Sequence, residues 1–433
     1  MCTSLACCAG CCVYKGCSEC VGATLKQQVR LSYLIFDGIF VALTLVTIYG
    51  ISRALISTSF ISDMLRDHLD CPADQDLQCF SISVVYRISL ALVVLHVFVL
   101  FWLIWRNGCS KRFNEGVWFF KLLLVVGSFV LFFFIKNTVF SNYAKAIMVL
   151  SLVFLLFQII MMIDLSYIMS QRWVAKYDAG KSAYAIPLFG CSIILYAAAA
   201  YGIIRSYIWF SGCGIGAAAV SITLGLIVLS TLLVFLRTNP NGSILTTGVV
   251  AAYATFLTWS GLSNMDKTCN PLLNKDSTTI AHLVFGLIVI AIALLYVSIG
   301  KSSKSSGFVA PKGVDIAKGV LEDEDKSGEA YKDEERGKAV ENKNKENGSQ
   351  DSDLKAYKNN NYIYFHIIMI FASFYMAMIL TNWGQPVIDG ETFLQFKASN
   401  LSMWIKLGAS WAALGIYNWT LLAPKIFPNR EFS

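Results

Sequence analysis

The chain has 433 residues, of which 56% are hydrophobic and only 15% charged, with a formal net charge of +7. A soluble domain carries about 25% charged residues, so this composition excludes that class and points to an all-α polytopic membrane protein. Most of the charge falls in loops between apolar runs, where it bears on orientation and lipid headgroups and gives no case for a nucleic-acid partner.

Residues 1–30 form a cysteine-rich amino-terminal segment holding Cys2, Cys7, Cys8, Cys11, Cys12, Cys17 and Cys20. Cysteines beside a membrane helix are candidates for S-acylation, here Cys7, Cys8, Cys11 and Cys12. An unmodified interfacial segment accounts for them equally well. A zinc site would want spaced pairs with four convergent ligands, and Cys17 and Cys20 supply a single CxxC. No basic region precedes an apolar one, so a cleaved signal peptide is not expected.

Transmembrane helices 1–8 are expected within 31–300, at about 32–52, 82–105, 116–136, 143–173, 184–206, 214–237, 244–264 and 279–300. Two more follow within 362–424, at about 362–382 and 402–423, and a short tail closes the chain at 425–433. Ten spans place both termini on one side of the membrane. Lys15, Lys26, Arg30, Arg106, Lys111, Arg112, Arg172, Lys176, Lys181, Arg237, Lys425 and Arg430 lie on that side. The opposite loops are poorer in Lys and Arg and hold Asp63, Asp67, Asp70, Asp74 and Asp76, so both termini are expected to be cytosolic. The membrane is read as the plasma membrane or an endomembrane. Cys71 and Cys79 share the first loop on the far side, and Cys269 lies in the fourth. An oxidising compartment there makes Cys71–Cys79 the first pairing to expect.

The fourth span is too long for a simple crossing. Some 30 residues from 143 to 173 give roughly 45 Å of helix, against a hydrocarbon layer of about 30 Å. The helix therefore lies obliquely or projects beyond the bilayer, and it reads as the beam against which the other helices pack. It carries Gln158 and Asp164, and a carboxylate at that depth should face protein or water. The loop at 301–361 is rich in Lys, Glu, Asp, Gly and Asn with almost nothing apolar, so it reads as a disordered cytosolic linker.

No hydrolase elbow, phosphate loop or metal-ligand spacing occurs, and the expectation is a protein that is not an enzyme and carries no metal or cofactor. His68, His96, His282 and His366 are scattered over different segments, and His96 reads as a packed or hydrogen-bonded core histidine. The intramembrane charges say more. Lys121 rises about 9 Å into the third span and Asp164 lies roughly 12 Å short of the end of the fourth, which brings them to similar depth. Asp37 sits at that level too. A Lys121–Asp164 pair competes with a lysine that snorkels and an aspartate bonded within its own bundle. Toward the opposite face, Lys136, Lys145 and Arg205 are end-of-helix anchors. Arg87 and Lys406 lie several residues inside their spans. Together the two layers suggest a polar track for a lipid headgroup.

Several stretches in order resemble one family. VYRISLAL at 85–92, WRNG at 105–108, FQIIMMID ending at Asp164, YATFLTWSGLSN at 253–264, CNP at 269–271, LTNW at 380–383 and SMWIKLGASWAALGIYNWTLLAP at 402–424 are similar to the serine incorporator (SERINC) family of eukaryotic membrane proteins. The resemblance implies ten helices in two bundles bridged by a long diagonal helix. It implies movement of phospholipids between leaflets without ATP, with Arg87, Asp164 and Lys406 as groove or structural residues. One departure is that the family's Trp-Asn-Glu after Asp164 reads Met169, Ser170 and Gln171 here, and Gln171 cannot ionise.

The leading expectation is thus a scramblase with a polar groove beside the diagonal helix, lined by Arg87, Lys121, Gln158, Asp164 and Lys406. Its partners would be membrane phospholipids, and a homo-oligomer is an open expectation. The alternatives are an accessory protein for serine incorporation into phosphatidylserine and sphingolipids, working with lipid-synthesis enzymes, and a secondary transporter. Prolines are few and lie mainly in loops, which counts against the broken helices of a transporter.

Overall fold

The structure, a computed structural model, describes residues 25–58, 76–104, 113–239, 242–265, 269, 276–299, 348–381, 383, 385–389, 392–397 and 400–427. Cys7, Cys8, Cys11, Cys12 and Cys71 lie outside those residues, as does most of the charged loop.

A chain in lipid has to satisfy its backbone internally, and the described residues do so almost entirely with helices. These are α1 Leu25–Leu45, α2 Asp76–Ile104, α3 Trp118–Phe132, α4 Asn137–Asp178, α5 Ala185–Phe210, α6 Gly214–Phe235, α7 Ile244–Leu262, α8 Asp276–Ile299, α9 Gly348–Leu380 and α10 Asn400–Ile426. The first continues through a π-helical turn at Val46–Ile51 into a short helix at Ser52–Ile56. Among the described residues, seven helices are long and apolar enough to cross a membrane: Gln27–Ile51, Cys79–Ile104, Asn137–Asp178, Ser182–Phe210, Gly214–Phe235, Ile244–Leu262 and Tyr362–Leu380. The other three expected spans are helices that fall short of that standard. Trp118–Phe132 and Leu283–Ile299 are apolar but shorter, and α10 carries Lys406, Ser410 and Asn418 along its length.

The fourth helix exceeds its expected bounds. It has 42 residues and a length of about 63 Å, twice the hydrocarbon thickness. Its end is marked in the sequence. Gly180 takes the left-handed conformation at φ 85, Lys181 N donates to Lys176 O at 3.2 Å and Gly180 N to Tyr177 O at 3.0 Å. That is the paired hydrogen bonding of a Schellman stop, which favours glycine at this position. Two further departures concern the loops. The helix of the ninth span begins at Gly348, inside the stretch read as a linker. Strands β1 Gln385–Asp389 and β2 Thr392–Lys397 make an antiparallel hairpin, with a bulge between Val387 and Ile388, where the sequence reading left a loop.

The chain divides into two compact units. The first takes the chain through Gln158 together with 274–301 and 359–402, and its packing joins α2 to α1 and α3, and α1 to α8. Its core includes Tyr33, Leu92, Leu95, Val99, Val125 and Phe365. The second takes Ile159–Leu273 and Met403–Ser433 among its parts, so α4 contributes residues to both.

In the second unit α7 is the central helix, with 14 of its 19 residues buried, and it packs on α5 and α6. Helices cannot rely on water exclusion to associate in lipid, so small residues let their backbones approach. A Cβ placed on Gly202 of α5 would sit 2.6 Å from Thr255 Cγ2 of α7, and one on Gly248 of α7 would sit 3.2 Å from Leu195 Cβ of α5. A disulfide between Cys213, ahead of α6, and Cys269, beyond α7, closes this unit and puts those two loops on one side of the membrane.

Replacing Gly202 by valine therefore overpacks the α5–α7 seam and lowers stability by about 1–3 kcal/mol. Gly190→Val on the same helix meets open space and leaves it unchanged. Thermal unfolding of the purified variants in detergent compares the two directly.

Candidate functional site

Among its described residues the first unit buries three cations. Arg87 of α2 is fully buried, and its guanidinium is spent on the turn between α3 and α4. Nε donates to Phe132 O at 2.9 Å, Nη1 to Ser83 O at 3.2 Å, and Nη2 to Ile135 O at 2.9 Å and Asn137 Oδ1 at 3.0 Å. The last carbonyls of a helix have no partner within it and carry the negative end of its dipole, so a cation there satisfies both needs. The Phe140 and Phe133 rings lie 4.2 and 5.0 Å from the guanidinium carbon. The cavity beside it, lined by Ile82, Ser83, Tyr86, Asn137, Phe140 and Ser141, measures about 10 Å³, room for at most one water. Arg87 is thus a staple that holds α2 to the end of α3.

Lys121 of α3 is also fully buried. Its Nζ donates to Asn114 O at 2.8 Å and faces the rings of Trp118 at 4.0 Å and Tyr33 at 4.5 Å. A carbonyl and two aromatic faces stand in for the water it has lost. The expected alternative of a Lys121–Asp164 pair divides between the units: Lys121 finds these partners inside the first, and half-buried Asp164 belongs to the second. Arg30 of α1 is buried as well and donates to Val297 O of α8 at 3.3 Å.

Beside Lys121 lies a group that the sequence reading left scattered. Asp37 of α1, His96 of α2, His366 of α9 and Asn114 meet in a continuous chain. His96 Nε2 is 2.9 Å from Asp37 Oδ2, His96 Nδ1 is 3.0 Å from His366 Nδ1, and His366 Nε2 is 3.0 Å from Asn114 Oδ1. Tyr33 donates its hydroxyl to Asn114 O and Oδ1, each at 3.1 Å. His96 is therefore hydrogen-bonded in the core, as expected, but His366 was not linked to it. Depth was the available signal: Asp37 and His366 stand early in spans that rise from the side on which the second ends, and His96 stands in that second span.

The second unit is built differently, from hydroxyls. At one end Ser170 Oγ of α4 lies 2.6 Å from Ser243 Oγ, and Thr247 Oγ1 lies 2.7 Å from the Tyr417 hydroxyl. Toward the middle Thr258 Oγ1 is 3.0 Å from both Thr223 Oγ1 and Ser410 Oγ. Ser410 donates to Ala254 O at 2.8 Å and Trp411 Nε1 donates to Thr223 Oγ1 at 3.1 Å. At the other end buried Lys406 donates to Ser260 O at 3.3 Å. From Ser243 to Ser260 the ladder rises about 25 Å, close to the hydrocarbon thickness. Along with it, the side chains of Thr246, Thr255, Ser206 and Asn418 are buried with polar atoms that lack a hydrogen-bond partner among the described residues.

The remaining expected site residues fall as follows. Gln158 is fully buried, and both of its amide atoms lack a partner among the described residues. Lys136 and Lys145 are exposed; Lys136 immediately precedes α4, whereas Lys145, expected near a helix end, lies more than two turns inside it because α4 starts at Asn137. Half-buried Arg205 sits 4.2 Å from the Trp209 ring. Cys79 is disulfide-bonded, as expected, while Cys71 lies outside the described residues. Cys269 pairs with Cys213, a partner that the sequence reading did not consider. No three His, Cys, Asp or Glu side chains among the described residues are grouped to hold a metal ion.

Comparison with known proteins covers nearly the whole chain. Residues 1–430 match the family model described as Serine incorporator (Serinc). A "Probable serine incorporator" of Nematostella vectensis is 28% identical, over 98% of this chain and 94% of the relative. "Serine incorporator 2" of Mus musculus is 26% identical, over 100% of this chain and 97% of the relative. "Serine incorporator 3" of Bos taurus is 30% identical, over 81% of this chain and 80% of the relative.

The staple reading of Arg87 makes a stability prediction. Arg87→Met removes the donor to Phe132 O, Ile135 O and Asn137 Oδ1 in the α3–α4 turn and costs about 3 kcal/mol or more. Arg87→Lys recovers only part of it, because one ammonium cannot span the same fork of acceptors. The loss appears in thermal unfolding in detergent with no added lipid, where Lys136→Met serves as the neutral control.

Proposed function

The chain belongs to the serine incorporator family, and from that premise we propose that it is a non-enzymatic lipid-handling protein that lets phospholipids cross between leaflets without ATP. The observation that supports this reading is the hydroxyl ladder of the second unit. Buried polar atoms are almost always paired, yet beside this path, nearly as long as the hydrocarbon core, Thr246 of α7 and Asn418 of α10 keep polar atoms with no partner among the described residues. A headgroup entering that path would meet donors and acceptors that have no competing partner, which removes much of the desolvation barrier to flipping. The ladder is closed in this structure, with Thr223, Thr258 and Ser410 buried, so passage requires α7 and α10 to separate locally.

The groove reading of the sequence is thereby narrowed. Its route runs along α7 and α10 beside the second half of α4, with Ser170 and Lys406 on it, while Arg87 and Lys121 support the scaffold of the first unit. The proposed topology has ten crossings and cytosolic termini. The Cys213–Cys269 bond supports it, since disulfides persist in lumenal or extracellular space and both cysteines fall on the far side in that arrangement. A second reading comes from the relatives' names, which speak of serine incorporation: an accessory role beside lipid-synthesis enzymes, active only in their presence.

The test uses proteoliposomes holding about one protein each, with fluorescent phospholipids and dithionite quenching. Wild type is expected to expose inner-leaflet lipid without ATP. The Thr258→Val, Ser410→Ala double variant removes the middle rung and is expected to slow exchange about tenfold, equivalent to ~1.4 kcal/mol of barrier. A folded wild type that leaves the inner leaflet protected overturns the proposal and brings the accessory reading forward.

A further inference from the structure

The chain Asp37–His96–His366–Asn114 poses a problem in counting protons. Ionised Asp37 accepts a hydrogen bond, so His96 Nε2 must carry a hydrogen to donate to Oδ2 at 2.9 Å. The side-chain oxygen of Asn114 also only accepts, so His366 Nε2 must carry a hydrogen to donate to Oδ1 at 3.0 Å. Each outer nitrogen is thus a donor, and each neutral ring is left with a bare lone pair on Nδ1. Those two lone pairs face each other at 3.0 Å, inside a core where both rings are fully buried. Two lone pairs at that distance repel, and with the amide in this orientation and Asp37 ionised a proton between them removes the repulsion.

A metal ion does not fit. Zinc holds nitrogens at about 2.0 Å, which at a tetrahedral angle sets them roughly 3.3 Å apart and asks for further ligands. The described residues offer no third His, Cys, Asp or Glu there. A proton does fit, because 3.0 Å is the ordinary length of an N–H···N hydrogen bond. We propose that His96 and His366 share one proton, so that Asp37, His96, His366 and Asn114 form a proton-binding site inside the first unit.

The site also has a proton-free form. Turning the Asn114 amide by half a turn puts Nδ2 against His366 Nε2. Every hydrogen then runs the other way, from Asn114 to His366, from His366 Nδ1 to His96 Nδ1, and from His96 Nε2 to Asp37, with no extra proton. The amide is equipped for this, since Nδ2 has no partner in its present orientation. Loading one proton and turning one amide are therefore the same event.

The surrounding charges set its balance. Asp37 compensates the added proton across one hydrogen bond, while Lys121 of α3 and Arg30 of α1 oppose it, and Tyr33 of α1 and Tyr362 of α9 are the other titratable groups facing the pair. The turn takes Oδ1 away from the Tyr33 hydroxyl, while the Asn114 backbone carbonyl keeps its bonds from Lys121 and Tyr33.

The test is nitrogen NMR of histidine-labelled protein in lipid bilayers. The chain has four histidines, and His68→Gln with His282→Gln leaves only the pair; where that variant does not fold, difference spectra from the single variants isolate it. In a titration toward acid, one proton per protein is expected to enter, with coupling between the two Nδ1 atoms across the hydrogen bond. Asp37→Asn is expected to move that uptake at least tenfold in proton concentration toward acid, and chelation to leave the spectra unchanged. Two rings that stay neutral throughout, or two that protonate independently, overturn the proposal. So does a spectrum altered by chelation, which would place a metal in the gap. None of these outcomes depends on whether the protein moves lipid.

Discussion

A polar group inside this protein has no water to fall back on, and that constraint shapes every charged position the structure describes. Arg87 answers it with three backbone carbonyls and an amide, Lys121 with a carbonyl and two aromatic faces, and Lys406 with a bond to the Ser260 carbonyl. Hydroxyls answer it locally: Thr44, Ser192, Thr223 and Ser373 each donate to the carbonyl one turn back. The partners of the buried arginine among the described residues are neutral. Its charge is held by dipoles at the end of a helix, which is why it sits where α3 runs out of internal hydrogen bonds.

What the sequence disclosed follows from how local each signal is. Apolar runs gave the helices, but the expected end of α4 at 173 falls short of the left-handed Gly180 that stops it. The start of α4 at Asn137 was hidden, since Asn137 and Lys136 look like a loop. Asn137 earns its place by receiving Arg87 from 50 positions earlier in the chain. Cys269 could be read as lying in an oxidising compartment, but its partner Cys213 stands 56 residues away beside a different helix. His96 and His366 show the same limit, with 270 residues between them. Each could be assigned a depth from its place in a span, whereas the side of the helix each presents is settled by packing.

The two units use different chemistry for the same constraint. The first concentrates ionisable groups, Arg30, Asp37, His96, Lys121 and His366, around Tyr33 and Asn114, and links them through named hydrogen bonds. Breaking any one leaves a buried charge exposed to hydrocarbon, so this cluster fixes a geometry. The second unit relies on Thr, Ser and Tyr, whose hydroxyls donate and accept with little penalty for exchanging one partner for another.

That contrast bears on where a lipid could pass. A route lined by free cations would hold a phosphate too firmly to release it, because sites that conduct have to bind weakly enough to let go. The deeply buried cations Arg87 and Lys121 are withdrawn from that task by the carbonyls and rings that already engage them. Hydroxyl–headgroup bonds are each worth about 1 kcal/mol net, near the scale of thermal energy, so a series of them lowers the desolvation barrier without creating a trap. Thr246 of α7 and Asn418 of α10 extend that series with polar atoms that have no partner among the described residues. Passive exchange needs a path that is polar along its whole length and sticky nowhere, and α7 is the described helix whose buried face comes nearest to that composition.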